Sequence, residues 1–599
     1  MPVFAKEVVY DFNVTWVSAN PDGLADRQVV GINGQWPLPI IEVDKGDQLV
    51  VNMYNGLENK SASIHFHGLY QNGTNEMDGP SMVTQCPVPP GSSITYNFTV
   101  NQNGTYWYHC HTDYCYPDGY RQALIVHDNS SWFANEFEEE FTVTLSDWYH
   151  ELAMDIKPEF MSLYNPTGAE PIPNSWLFND TMNTSIAVKP NTTYLLRLAN
   201  IAAFTAQYFY IEDHPLTIVE IDGVYTEPTT ADILYIAVAQ RYSVLFTTKA
   251  TTDKNYPIVT VVDSTLLDTI TPDLQLNNTN WLQYDSSATY PQANITVAES
   301  DDLVPFDDGT LVPYDHVPLL ETPDLTVNVA VIMENLDTGM GYAFLNNISY
   351  TAPKVPTLYT VLSAGTLATD PTVLPHYAIV EIILNNQDTG SHPFHLHGHV
   401  FQVVARYPAM GPDFLSLADA TDPIAFDPAN HTSFPTYPPR RDTVVVPPMG
   451  YVVLRFRADN PGVWLFHCHI DWHLMQGLAM TFVEAPLLIQ NRLSIPADHK
   501  AACEAAGVPW EGNAAGNVED YLDLKGQNKQ PGWIPDGFTA RGIVSMVFTV
   551  ISAILGMGGI VLYGLSDLKF SRQEGAADVQ AAGSGNASQD AGTQEVYQD

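Results

Sequence analysis

Basic residues are scarce in this chain. Its 599 residues include 24 Lys and Arg against 68 Asp and Glu, a formal charge of -44, although charged residues make up only 15% of it. A nucleic-acid binder needs clustered Lys and Arg to meet phosphate, so that class is excluded, while cationic substrates stay open. Most of the acidity reads as solubility in an acidic extracellular setting. Cysteine is sparse too: Cys86, Cys110, Cys115, Cys468 and Cys503 are too few for a disulfide scaffold. The opening stretch, MPVFAKEVVYDFNVTW, contains no apolar run of the kind a signal peptide needs. Yet thirteen Asn-x-Ser/Thr sequons lie between Asn13 and Asn430, and that density favours a glycosylated secretory protein. The chain is therefore read as an exported protein whose sequence begins after signal cleavage with an added Met, or comes from a truncated gene model.

Long hydrophobic runs are absent except for one. Ile543 to Leu565 is 23 residues without a charge, about 34 Å as a helix and enough to cross a bilayer core of roughly 30 Å. Arg541, Lys569 and Arg572 are too few to orient it. The sequons do so instead, placing the large N-terminal part outside and 566–599 inside as a disordered cytoplasmic tail rich in Gly, Ala, Gln and Ser. A further sequon at Asn586 then goes unused. Ser552 and Gly556 have a spacing that would allow close packing with a partner helix.

What is abundant is β pattern. Segments such as QLVVNMYN, SITYNFTV, EFTVTLSDW and AIVEIILNN are short, rich in β-branched and aromatic residues, and bounded by Gly, Pro, Asn and Asp. The expected fold is all-β, built of sandwiches or barrels. An internal echo gives the organisation. Residues 45–111 run from a strand through HFHG to GTYWYHCH, and 377–469 run from a strand through HPFHLHGH to PGVWLFHCH, so homologous domains lie near the two ends. The middle has the same texture without His-x-His. Expected boundaries are 1–135, 136–290 and 291–500 for three domains, a linker at 501–542, the span at 543–565 and the tail from 566.

Four His-x-His pairs stand out: His65/His67, His109/His111, His395/His397 and His467/His469. Residues i and i+2 of a strand face the same way, so each pair aims two imidazoles into one space. One pair is often accidental; four pairs in two homologous domains point to copper or zinc. HCHIDWH selects copper. Cys468 must point away from its flanking histidines, and with His473 and His392 it can complete the His₂Cys set of a blue-copper site. A structural zinc site explains neither the convergence of eight histidines nor the bridging Cys. Ten residues past Cys468 the axial position is Leu478, a non-coordinating side chain that implies a relatively high potential. In the first domain, Cys115 and Ala62 take the places of His473 and His392, so no second blue site is expected there. Whether Cys110 and Cys115 are joined stays open.

GINGQWPLPIIEVDKGD, HFHG, WYHCH, HPFHLHGH and HCHIDWHLMQGL together resemble the multicopper oxidase family over about residues 8–500. The resemblance implies three cupredoxin-like β-sandwich domains and four copper ions. His65 and His395 would hold the type 2 copper, and His67, His109, His111, His397, His467 and His469 the type 3 pair. His392, Cys468 and His473 would hold type 1. Four one-electron stores match reduction of O2 to two waters. Family members usually carry a small residue such as Ser where Cys110 stands. Cys86 and Cys503 resemble a disulfide that ties the segment after the third domain to the first in laccase-like members. Asp78 and Asp471 match family acids proposed for proton delivery.

Within the family the chain is most similar to fungal membrane-anchored ferroxidases of high-affinity iron uptake, on GAEPIP, QYFYIEDH, AQRYSVL, PDLQLN and GYAFLNNISYTAPKVPTL. That likeness implies an iron site of Glu170, Asp263, Asp268 and Tyr342. It also implies that Glu170 and Asp388 hydrogen-bond the type 1 histidines and carry the electron. Carboxylates suit Fe2+, a hard cation, and bind Fe3+ more strongly still, which favours oxidation. The expected partners are Fe2+, O2 and an iron permease in the same cell membrane. The alternatives are a laccase-like phenol or amine oxidase, a cuprous oxidase, or a copper-binding electron-transfer protein without O2 chemistry.

Overall fold

The computed structural model describes residues 5–293, 303–364, 372–431, 433–535 and 537–581. Its strands form three pairs of sheets, the cupredoxin-like all-β architecture expected from the sequence. In the first pair, Arg27–Ile32, Glu7–Ala19, Gln48–Asn55 and Ser93–Thr99 form one sheet. Ile41–Asp44, Arg121–His127, Gly104–His109 and His65–His67 form the other. Ser93–Thr99 alternates exposed and buried residues, with Ile94, Tyr96 and Phe98 turned inward, the pattern of a strand wet on one face. Gly104–His109 is buried throughout, because its second face meets other protein rather than water.

The second and third pairs share one plan, a six-stranded sheet against a five-stranded one. In the third, Ile379–Asn386 runs through the larger sheet, and Gly462–Cys468, flanked by His392–Leu396 and Ala479–Glu484, through the smaller. All seven residues of Gly462–Cys468 are buried. The glycine of each His-x-His-Gly motif has a steric reason. Gly68 (φ +88°) and Gly398 (φ +69°) are left-handed, and a Cβ would come within 2.6 Å of Arg241 at the first and of Trp464 at the second.

Residues 501–542, expected as a juxtamembrane linker, are docked on the compact unit as far as Gly532. The helix Ala497–Ala506 carries Cys503, which is joined to Cys86 across 417 residues of sequence. Further on, Ser349 N–H donates to Gln530 Oε1 at 2.7 Å and Asp337 N–H to the Gly532 carbonyl at 2.7 Å. The compact unit accordingly runs to Gly532. A second unit follows, with one helix, Ala540–Ala581. Its apolar part, Ala540–Ser566, is long enough to cross a membrane. Residues 566–581, expected to begin a disordered tail, continue that helix; the rest of the expected tail, with Asn586, lies outside the described residues. Of the thirteen sequons, Asn294 is also outside them, and none of the other twelve asparagines is buried.

Candidate metal centre

Strand register builds the site. His65 pairs with His109, and His395 with His467, each within its own small sheet. The four motif segments then interleave across the two end domains. The rings of His67 and His395 stack at 3.8 Å, and those of His65 and His397 lie 4.0 Å apart. His111 reaches His467 at 5.3 Å, and His67 reaches His469 at 4.9 Å. All eight histidines of the His-x-His pairs therefore meet in one buried space.

Five of the eight rings keep one nitrogen without a hydrogen-bond partner among the described residues, and three of those five are fixed by the other. His65, His109 and His395 donate Nδ1–H to the carbonyls of Asp78, Cys110 and Asp442 at 2.7, 2.9 and 2.9 Å. Their Nε2 atoms, with His111 Nε2 and His469 Nδ1, are buried without a hydrogen-bond partner among the described residues. Burial and mutual repulsion hold most of these rings well below the ordinary histidine range, so they are neutral. Neutral imidazoles with oriented, unshared lone pairs fit metal ions.

The second group is His392, Cys468 and His473. Cys468 Sγ lies 3.7 Å from His392 Nδ1 and 3.4 Å from His473 Nδ1, and the two nitrogens are 3.1 Å apart. Burial alone would push the thiol up, yet the two imidazoles bring it down to about 7, which favours the thiolate a soft metal needs. Cys468 is covalently continuous with His467 and His469, so one residue of main chain joins the two groups. Leu478 is buried and tied to the loop, its N–H donating to the His473 carbonyl at 2.9 Å and its carbonyl accepting from Cys468 N–H at 3.0 Å.

A solvent-facing cavity of about 320 Å³ opens beside this second group, lined by Glu170, Asp268, Tyr342, Asp388 and His473 among others. His473 donates Nε2–H to Glu170 at 2.6 Å and His392 donates to Asp388 at 3.0 Å. Burial, then Glu170 and Asp388, raise the Asp268 carboxyl above its ordinary value. A cluster of this kind is relieved by a cation. Asp263, expected in the iron site, does not line the cavity. It is fully buried, with Oδ1 accepting from Thr265 N–H to cap a short turn and Oδ2 accepting from the Tyr235 hydroxyl at 2.7 Å. Glu334 lines the wall instead, on the strand opposite Tyr342.

Asp78 lies against the eight histidines, accepting from His397 Nδ1–H at 2.9 Å. Asp471 is half-buried, its Oδ2 enclosed without a hydrogen-bond partner among the described residues, and desolvation, with Asp118 and Asp147 nearby, pushes it up to about 7. Sequence reading missed Asp442. It accepts from His67 Nε2–H at 3.1 Å and binds Arg241 bidentately at 2.8 and 2.5 Å. Burial would raise its carboxyl, but Arg241 holds it well below the carboxylate range. The signal was an acid and an arginine set inside apolar strands, RRDTVVV and AQRYSVL, where neither stays unpaired. Cys110 and Cys115 are joined.

Three cupredoxin-like sandwiches with eight histidines between the outer two and a Cys–His₂ group one residue away define a copper oxidase. The chain belongs to the multicopper oxidase family, whose models match residues 13–131, 139–287 and 350–487. It is 52% identical to the iron transport multicopper oxidase fetC of Epichloe festucae, covering 94% of this chain and 90% of that one. It is 49% identical to the iron transport multicopper oxidase FET3 of Saccharomyces cerevisiae, over 96% and 91%. Among solved structures it is similar to Fet3p, described as a multicopper oxidase that functions in iron import, with TM-score 0.83, 49% identity and coverage of 88% and 99%. The laccase of Botrytis aclada follows the fold at TM-score 0.71 and 29% identity, over 84% and 92%.

Proposed function

We propose that this protein is a membrane-anchored ferroxidase that oxidises Fe2+ with O2: 4 Fe2+ + O2 + 4 H+ → 4 Fe3+ + 2 H2O. The observation that carries it is the pair Glu170 and Asp388, each hydrogen-bonded to one histidine of the Cys468 group while facing the acid-lined cavity. A cation in that cavity touches the same carboxylates that hold the histidines. Asp268 adds a third charge and Tyr342 an oxygen ligand. Hard oxygen donors suit iron and stabilise Fe3+ over Fe2+, and the net charge of -44 helps gather cations.

Four copper ions would be held by these residues: type 1 by His392, Cys468 and His473, type 2 by His65 and His395, and the type 3 pair by the remaining six histidines. When bound, they store the four electrons that O2 requires. The chain's own contribution is to hold the ligands, exclude water and bring protons. Asp78 fixes His397, and Asp471, with a carboxyl near neutrality, is placed to hold a proton beside the site. We place the domain boundaries near 135 and 290, the sequon-bearing part outside the cell and the tail inside, and read an iron permease as the recipient of Fe3+.

Met333, on the same cavity wall, is a soft donor and favours Cu+ as a second substrate. The polar wall disfavours phenols. The test is kcat/KM for Fe2+, Cu+ and a phenol by O2 consumption, on the full chain and on Glu170→Ala and Asp268→Ala. Fe2+ turnover that survives both substitutions, or a strong preference for the phenol, overturns the ferroxidase reading.

A further inference from the structure

The first sandwich contains a counterpart of the Cys468 group that is closed by sulfur. Cys110 lies between His109 and His111 as Cys468 lies between His467 and His469, and the strand pairings match, His65 with His109 and His395 with His467. By that register Cys115 replaces His473 and the buried Ala62 replaces His392. Cys110 and Cys115 are joined, five residues apart in sequence. Both are buried, so the bridge is a fixed part of the interior.

We propose that the Cys110–Cys115 disulfide is a clamp that positions His109 and His111 at the cluster by holding a strained turn. The proposal rests on the reading that these histidines bind copper. Inside the bridged loop, Asp113 and Tyr114 are consecutive non-glycine residues with φ of 46° and 57°, a left-handed conformation that persists only where the surroundings enforce it. Ser61 N–H donates to Asp113 Oδ2 at 3.0 Å, and Lys157 donates to the Tyr114 hydroxyl. The disulfide closes the loop. On its far side Tyr116 lays its ring 4.9 Å from that of His109 and donates its hydroxyl to the Ala202 carbonyl. On its near side His111 N–H donates to Ser63 Oγ at 3.1 Å. If the bridge is cut, the turn relaxes toward ordinary dihedrals and carries Tyr116 and His111 with it.

The test uses full-length copper-loaded protein and the double variant Cys110→Ser/Cys115→Ser, challenged with a chelator. Elemental analysis should show cluster copper leaving roughly tenfold faster, the scale on which outer-shell partners tune a metal site. The blue absorbance of the Cys468 group should be unchanged. Adding Tyr114→Gly removes the left-handed strain and should restore retention; a general loss of packing is not rescued by glycine. Non-reducing peptide mapping should find the two cysteines linked. Free thiols in untreated protein, wild-type retention in the double variant, or no rescue by Tyr114→Gly overturns the clamp alone. Wild-type protein with no copper at the eight histidines overturns the metal reading and the clamp with it.

Discussion

Glu170 Oε1 accepts from His473 Nε2–H at 2.6 Å, while the same ring turns its Nδ1 to Cys468 Sγ at 3.4 Å. One imidazole thus separates a carboxylate in the open cavity from a buried thiolate. Facing the cavity, the Glu170 carboxylate offers Fe2+ a hard oxygen ligand that a phenol does not use. Glu170→Ala is therefore expected to lower kcat/KM for Fe2+ by about 10- to 100-fold, with little change for a phenol. Stopped-flow oxidation of the two donors checks this, and an equal loss for both would assign Glu170 to holding the histidine only.

Leu478 sets a second expectation. It stands ten residues past Cys468, is tied to the His473 and Cys468 main chain, and offers no donor atom, whereas a thioether there would stabilise an oxidised copper held by the Cys468 group. Leu478→Met should lower the potential of the blue site in a spectroelectrochemical titration. An unchanged or higher potential would show that residue 478 does not reach the metal.

Asp442 is the buried partner of Arg241 and of His67. Asp442→Asn leaves the guanidinium without its full counter-charge, and breaking such a pair costs about 3–5 kcal/mol. Calorimetry should show a clear fall in unfolding temperature, and copper analysis a loss at the cluster, even though residue 442 is not among the expected ligands.

Acid stability follows from Asp308. Burial opposes its charge, but Arg406 and Arg441 hold its carboxyl down at about 2. A depressed folded value means that the stabilisation is complete above the unfolded value of about 4 and lost as pH falls toward 2. Across that window the wild type should lose about 2 kcal/mol more than Asp308→Asn. Equilibrium unfolding at pH 5, 4, 3 and 2.5 checks it; parallel curves would reject the assignment.

The histidine cluster was legible because its signal is local. His-x-His on a strand fixes two directions at once, and HCHIDWH adds a third. The Cys–His₂ group needed only spacing, His473 five residues after Cys468 and His392 three before His395. The cavity was harder to read, because its wall comes from loops and strand ends far apart in the sequence. Asp268 and Asp263 stand five residues apart in DSTLLD, yet one lines the cavity and the other caps a turn inside the protein. Linear spacing cannot tell those orientations apart. Glu334 was missed because an acid at a strand end reads as solvated surface, and its position opposite Tyr342 exists only in the register. Docking of the segment up to Gly532 escaped for the same reason: it depends on single hydrogen bonds between distant residues.

The placement of the eight histidines, four from the first sandwich and four from the third, has a consequence for biogenesis. Neither sandwich holds the constellation alone, whereas the Cys468 group is complete within the third. On the proposed copper assignment, a chain whose outer domains have docked wrongly would still fill the thiolate site and turn blue, but would not assemble the proposed site of O2 reduction. Because binding to the docked form adds to its stability, copper held by the eight histidines would act as a proofreader of domain assembly. Colour without oxygen uptake would mark the molecules that failed inspection.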